Sequence, residues 1–157
     1  MNNIAPDFLL PRFGNGESRY YQEAGTRLAV LIFYKFSCST CRLAMPYFQR
    51  IYDAYGDAFY FAAIAQDGSE KTAGFRQECG ITMPTMMDQA PYPVSTSYSI
   101  HTVPSIFVVD PDRRIRYEGF GFVKQEILNL ADVLAEKTGR PQIDVFEDAE
   151  VPESKPG

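Results

Sequence analysis

An α/β fold, with a mixed central sheet and helices on both faces, is what three features of this 157-residue sequence predict. Two unbroken apolar runs of strand length, "LAVLIFY" (28–34) and "AFYFAAIA" (58–65), suit strands buried on both faces. Each is followed within a few residues by a segment of helical character, the pattern of parallel strands joined by crossover helices. Further on, "SIFVVD" (105–110) and "RIRYEG" (114–119) flank the turn "PDR", which marks an antiparallel hairpin. Parallel pairs plus one hairpin make the sheet mixed.

In chain order, residues 5–22 read as short extended pieces around a "FGNGES" turn, ahead of the first buried strand. After "SCSTC" (37–41), Ala44, Tyr47, Phe48, Ile51, Tyr52 and Tyr55 recur at helical spacing and define one apolar face. Pro46 falls inside that helix, where its missing N–H predicts a kink. "SEKTAGFRQECG" (69–80) reads as a second helix stopped by Gly80. After the hairpin, Ile127, Leu130, Ala131 and Leu134 give a closing helix with one apolar face. The periodic pattern ends near "TGRPQ". The reading is therefore one domain, residues 1–139, followed by an acidic tail, 140–157, expected to be mobile.

Composition narrows the function. The formal charge is −5, but the last sixteen residues carry five acids and one Lys, so the remainder is nearly neutral. No basic stripe is present to neutralise phosphates, which excludes nucleic acid as a partner. The apolar runs fall far short of the roughly 18–20 residues that cross a bilayer. "MNNIAPDFLLPRF" lacks the basic and apolar regions of a signal peptide. The expected compartment is the cytoplasm, or an extracytoplasmic one had a leader been removed. Three cysteines are too few for a disulfide framework, and a CxxC outside such a framework is a redox or metal motif.

Cys38 and Cys41 stand where a buried strand runs into a helix. Unpaired N–H groups and the helix dipole stabilise negative charge there. A cysteine at such a position can fall from about 8.5 to roughly 3.5–7.5 in pKa. Residues three apart on a helix lie about 5–6 Å apart, within reach of a disulfide after small adjustment. Cys38 is thus the candidate nucleophile and Cys41 the resolving thiol. Lys35 and Arg42 add positive charge nearby and are candidates for tuning the thiolate. The alternative, two cysteines acting as small core hydrophobes, does not account for their place before an amphipathic helix.

"LAVLIFYKFSCSTCRLAMPYF" (28–48) resembles the active-site stretch of thioredoxin-like proteins, and most closely that of the TlpA/ResA-like thiol–disulfide oxidoreductases within the redoxin (AhpC/TSA) superfamily. Cys38, Cys41, Arg42 and Pro46 fit the pattern of CxxC, a basic residue, then proline five positions after the second cysteine. "APDFLL" (5–10) resembles the family's opening segment, and "YSIHTVPSIFVVDPDRRI" (98–115) the segment that carries its cis-proline. The resemblance covers roughly residues 5–137. It implies a thioredoxin-like fold and a cis bond before Pro104. It also implies a substrate clamp formed by Val103 and Pro104, and thiol–disulfide exchange with a protein or small-thiol substrate. No cofactor is implied. The chain shows no dinucleotide-binding glycine pattern, so an external reductant such as a thioredoxin-type donor would recycle it.

Three positions depart from the family. The buried acid six residues before the first cysteine is Ile32. The Glu three residues after the second is Ala44, and the aromatic before the first is Ser37. A proton acceptor for Cys41 is therefore not visible, with Lys35 or water left to serve.

Other readings compete. Peroxiredoxins share the fold, but their P-x-x-x-[TS]-x-x-C pattern would require proline and a hydroxyl where Leu31 and Lys35 stand. A peroxidase with Cys38 peroxidatic and Cys41 resolving is the alternative. Cys38, Cys41, Cys79 and His101 as a Cys3His metal set have gaps of no compact zinc module. Metal delivery would draw on the methionines of "MPTMM" (83–87), which read more simply as core filler. A non-catalytic thioredoxin-fold module is the last alternative. Cys79 reads as an inert thiol at a helix end. His101 reads either as a loop residue or as a neighbour of the dithiol.

Overall fold

The computed structural model describes residues 3–147 and 149–157. A short hairpin, β1 (Leu9–Pro11) and β2 (Glu17–Arg19), leads into α1 (Tyr20–Ala24) and then β3 (Ala29–Tyr34). There follow α2 (Ser39–Tyr55), β4 (Tyr60–Ala65), α3 (Ser69–Cys79), β5 (Thr85–Met87) and α4 (Pro93–Ser97). The hairpin β6 (Ser105–Val109) and β7 (Ile115–Phe120) precedes the two-residue β8 (Phe122–Val123) and α5 (Lys124–Thr138). A final two-residue strand, β9 (Ser154–Lys155), pairs antiparallel with β8.

The central sheet has the order β5-β4-β3-β6-β7. β3 runs parallel to β4 and β4 to β5, whereas β6 is antiparallel to both β3 and β7. Every residue of β3 and β4 is buried, as expected of strands covered on both faces. Because side chains alternate along a strand, the two faces collect different partners. Val30, Ile32, Ile106 and Val108 share one face, on which Phe48 of α2 and Ile127 and Leu130 of α5 border a common apolar hollow. Phe33 and Phe107 point to the other face, where each ring packs on Tyr98 at 5.2 Å. Phe8, Tyr20 and Tyr60 extend that second layer as stacked rings. Buried Asp88 secures its cover, accepting from the N–H groups of Val94 and Ser95 and from the Ser95 hydroxyl.

Two helices stop where the sequence predicts. Gly80 and Gly139 follow α3 and α5 with φ of 67° and 70°, a left-handed geometry that costs other residues strain. α2 runs on through Pro46, and its fully buried residues include Met45 as well as Ala44 and Ile51. "MPTMM" supplies the edge strand β5, with Met83 and Met86 fully buried.

The largest difference from expectation is the acidic tail. Its described residues, 141–147 and 149–157, pack along the domain. Tyr55 donates its hydroxyl to the Pro141 carbonyl, and the Arg50 guanidinium donates to that of Val145. Val145 and Phe146 are buried, with the Phe146 ring 4.6 Å from that of Tyr47 and 6.1 Å from that of Phe122. Burying such a pair contributes on the order of 3–5 kcal/mol, enough to hold a polar segment down. Composition concealed this because two apolar side chains do not alter the average of a charged stretch.

Burial of the second layer has a consequence for pH. Removal from water pushes the phenols of Tyr20 and Tyr60 up to about 12, against an ordinary value of about 10. Above pH 10 the unfolded chain ionises both rings, while the folded chain does so only near 12. Stability is therefore intact below pH 10 and lost between 10 and 12, by up to about 5 kcal/mol for the pair. Urea midpoints measured across pH 7–12 should be flat to about pH 9.5 and then fall. A flat profile to pH 12 contradicts the assignment.

Candidate active site

The loop 35–38 is the product of a strand that ends and a helix that has not begun. Asp67, just beyond β4, accepts the Phe36 N–H at 2.7 Å, and the Gln66 N–H donates to the Tyr34 carbonyl. Together they set where the chain leaves the sheet. Cys38 is the N-cap of α2, in extended backbone geometry (φ −95°, ψ 113°). Its Sγ accepts the Cys41 N–H at 3.1 Å, one of the unpaired donors of the first helical turn. The thiol lies 3.4 Å from the Val103 carbonyl oxygen, to which it donates.

Cys41 sits one turn inside and has no exposure, whereas Cys38 retains 8%. Burial, and the Cys38 sulfur beside it, push the Cys41 thiol well above the ordinary cysteine value, with Lys35 pulling modestly the other way. The two sulfurs are therefore unequal. One borders an open groove, and the other is a buried thiol that stays protonated at neutral pH.

The Val103–Pro104 bond is cis. Ser105 Oγ donates to the Thr102 carbonyl and the Gly121 N–H to that of Pro104, fixing this loop at the end of β6. A groove of about 440 Å³ runs past Cys38, with Lys35, His101 and Val103 on its walls. The structure thus brings together Cys38, Cys41, Val103, Pro104 and Lys35. It does not bring Arg42 to the dithiol. Arg42 lies over the rings of Phe36 and Phe75, pairs with Glu78 and donates to the Phe36 carbonyl. At 100° per residue along α2, position 42 faces α3 rather than the groove. Its charge is felt by Cys79, a half-buried thiol that burial pushes up in pKa. Among the described residues, no group of three or more His, Cys, Asp and Glu could hold a metal ion. The apolar hollow beneath α5, about 300 Å³, contains no thiol.

Several contributors were not legible in sequence. Asp67 has no motif of its own. Thr40 donates its hydroxyl to the Pro156 carbonyl at 2.7 Å, and Lys155 Nζ donates to Ser39 Oγ at 3.2 Å. Lys155, Pro156 and Gly157 thereby join the groove's wall. The one signal available was the "VF" pair at 145–146, an apolar anchor in an otherwise polar run. No helix among the described residues is long and apolar enough to cross a membrane.

Similarity to known proteins agrees with this geometry. Over 110 residues the chain is 24% identical to the thioredoxin-like protein YneN of Bacillus subtilis, an alignment covering 68% of this chain and 63% of that protein's length. The chain thus spans under two thirds of this relative. Among solved structures it resembles the thioredoxin domain of a thiol-disulfide oxidoreductase from Bacteroides vulgatus, with a TM-score of 0.73 and 21% identity over 83% of this chain and 94% of that one. StoA of Bacillus subtilis superposes with a TM-score of 0.67 at 19% identity, over 82% of this chain and 98% of that one. At such identities these neighbours establish the thioredoxin-like fold. The model of the AhpC/TSA family matches residues 1–118, which takes in β1 through β6, most of β7 and both cysteines of the CxxC. With that match over three quarters of its length, the chain belongs to the AhpC/TSA family.

Proposed function

We propose that this protein is a thiol–disulfide oxidoreductase in which Cys38 is the nucleophile and Cys41 the resolving cysteine. The observation that carries the reading is the asymmetry of the pair. Cys38 Sγ caps the helix and borders the groove beside the cis-proline loop, while Cys41 is fully buried behind it.

The Cys38 thiolate attacks one sulfur of a substrate disulfide. A Cys38–substrate disulfide forms and the second substrate sulfur leaves as thiolate, taking up a proton. Cys41 then gives up its proton and attacks Cys38 Sγ. The mixed disulfide breaks, the first substrate sulfur leaves and is protonated, and the enzyme holds a Cys38–Cys41 disulfide. Two electrons have passed to the substrate. Return to the dithiol takes two electrons from an external thiol donor, and the reverse sequence oxidises a substrate dithiol. The substrate is a disulfide-bearing polypeptide or a small thiol, with Val103 and Pro104 as its clamp.

The family also includes proteins that reduce peroxides, and a competing reading has Cys38 attack a peroxide. The position three residues before Cys38, where a peroxidatic hydroxyl is expected, is Lys35. A single experiment separates the two. Stopped-flow measurement of Cys38–Cys41 disulfide formation is made with hydrogen peroxide and with oxidised glutathione, using Cys41→Ser as control. Peroxide oxidation at the rate of an ordinary thiolate, alongside formation of a mixed disulfide with glutathione, supports exchange. Oxidation by peroxide orders of magnitude faster, with Cys38 held as sulfenic acid in the control, makes the protein a peroxidase and overturns the proposal.

A further inference from the structure

The groove beside Cys38 is already lined by an extended stretch of the protein's own chain. We infer that residues 154–157 form a strap, hung from the Val145–Phe146 anchor, that closes the peptide groove and lifts to admit a polypeptide disulfide to Cys38. The inference rests on the exchange activity proposed above.

Four observations bear on it. β9 pairs with β8, and Gly121, the residue just before β8, donates its N–H to the Pro104 carbonyl, so the strap lies as an added strand along the edge of the site. Its last residues meet the clamp itself. A Cβ built on Gly157 would collide with the Val103 carbonyl, the same carbonyl that accepts the Cys38 thiol. Only a residue without a side chain lies that close, and it takes the space an incoming backbone would need. The two residues between the cysteines hold the strap, Thr40 through the Pro156 carbonyl and Ser39 through Lys155 Nζ. Hydroxyls at both filling positions of the CxxC thus have a partner, 116 residues away in each case. Finally, with the strap in place Cys38 is 92% covered, which is poor access for a nucleophile whose target is a folded or extended polypeptide.

The anchor and the strap are held by different forces. Val145 and Phe146 are buried apolar groups, whereas Ser154, Pro156 and Gly157 are exposed and Lys155 half-exposed. The strap is held by a two-residue ladder and two side-chain hydrogen bonds, each worth roughly a two- to twelvefold bias in water. An element so held opens without unfolding the domain, and substrate affinity is reduced by the fraction of molecules in which it is open. The consequence is selective. A small disulfide threads past the strap, and a polypeptide has to displace it.

The test uses the full chain, Gly157→Leu, and a deletion of residues 154–157, none of which alters the dithiol or the anchor. Two exchange rates are measured on the reduced proteins, with insulin and with 2-hydroxyethyl disulfide. The strap predicts that both variants reduce insulin with a second-order rate constant about tenfold higher, and that the ratio of the insulin rate to the small-disulfide rate rises about fivefold or more. An unchanged or lower insulin rate overturns the inference, the lower rate meaning that 154–157 is a fixed part of the substrate site. An equal rise with both substrates also overturns it, since that reports altered thiol chemistry rather than access. If no form of the protein exchanges with either substrate, the exchange activity has failed and the strap with it. Exchange with an unaltered insulin rate sinks the strap alone.

Discussion

Cys38→Ser is expected to lower disulfide exchange by on the order of 10³-fold or more, because a serine hydroxyl is un-ionised at neutral pH and cannot enter a disulfide. Cys41→Ser should behave differently. Attack by Cys38 survives, resolution does not, and a Cys38-linked mixed disulfide accumulates that is visible on non-reducing gels. The inequality of the two sulfurs adds a pH signature. Burial, the main cause of the raised Cys41 pKa, persists in the mixed disulfide. Only the thiolate attacks, and below the pKa its fraction grows about tenfold per pH unit. Resolution in the unsubstituted protein should therefore accelerate steeply from pH 6 to 9, with mixed disulfide accumulating at the acid end. A mixed-disulfide lifetime independent of pH over that range would show that deprotonation of Cys41 does not limit the step. Equal loss in both cysteine variants, with no trapped species in Cys41→Ser, would contradict the assigned roles.

The largest stability effect is expected at Phe33. The ring has no exposure, lies on the central strand that feeds the CxxC, and packs 5.2 Å from Tyr98 and 5.7 Å from Phe107. Phe33→Ala leaves a cavity between β3, β6 and the cover that ends at Tyr98, where relaxation is limited on every side. The cost should be about 4 kcal/mol, read as a lowered urea midpoint with the slope unchanged. Leu9, on the first hairpin and 46% exposed, serves as comparison, since Leu9→Ala should change stability by less than about 0.5 kcal/mol. A Phe33→Ala cost near that of Leu9→Ala would mean that the second aromatic layer is not a load path between sheet and cover.

Much of the site is readable from the sequence because its parts are local. A strand buried on both faces, a helix with one apolar face and two cysteines at their junction are all encoded within residues 28–55. The junction places Cys38 at a helix cap and Cys41 one turn inside, and the structure shows both positions. The hairpin that follows Pro104 is local in the same sense, marked by the two strand-like runs "SIFVVD" and "RIRYEG" that flank "PDR". Helix ends at Gly80 and Gly139 follow from backbone freedom, a property of the residue itself.

Arg42 marks the limit of that reading. Adjacency to Cys41 in sequence suggested adjacency to the dithiol, yet one step of helical rotation hands its charge to Glu78 and to the rings of Phe36 and Phe75. The acidic tail is the other case. Its charge argued for a solvated segment, while two buried side chains and a two-residue strand pairing bring it to the groove.

By itself, then, the sequence determined which elements form and where the redox pair sits between them, because periodicity, caps and turn chemistry act over a few residues. Only the tertiary structure decided which distant residues face the sulfur. Asp67 behind the loop, Val103 beside the thiol and Gly157 against the clamp are brought there by sheet order and packing, which no local pattern records.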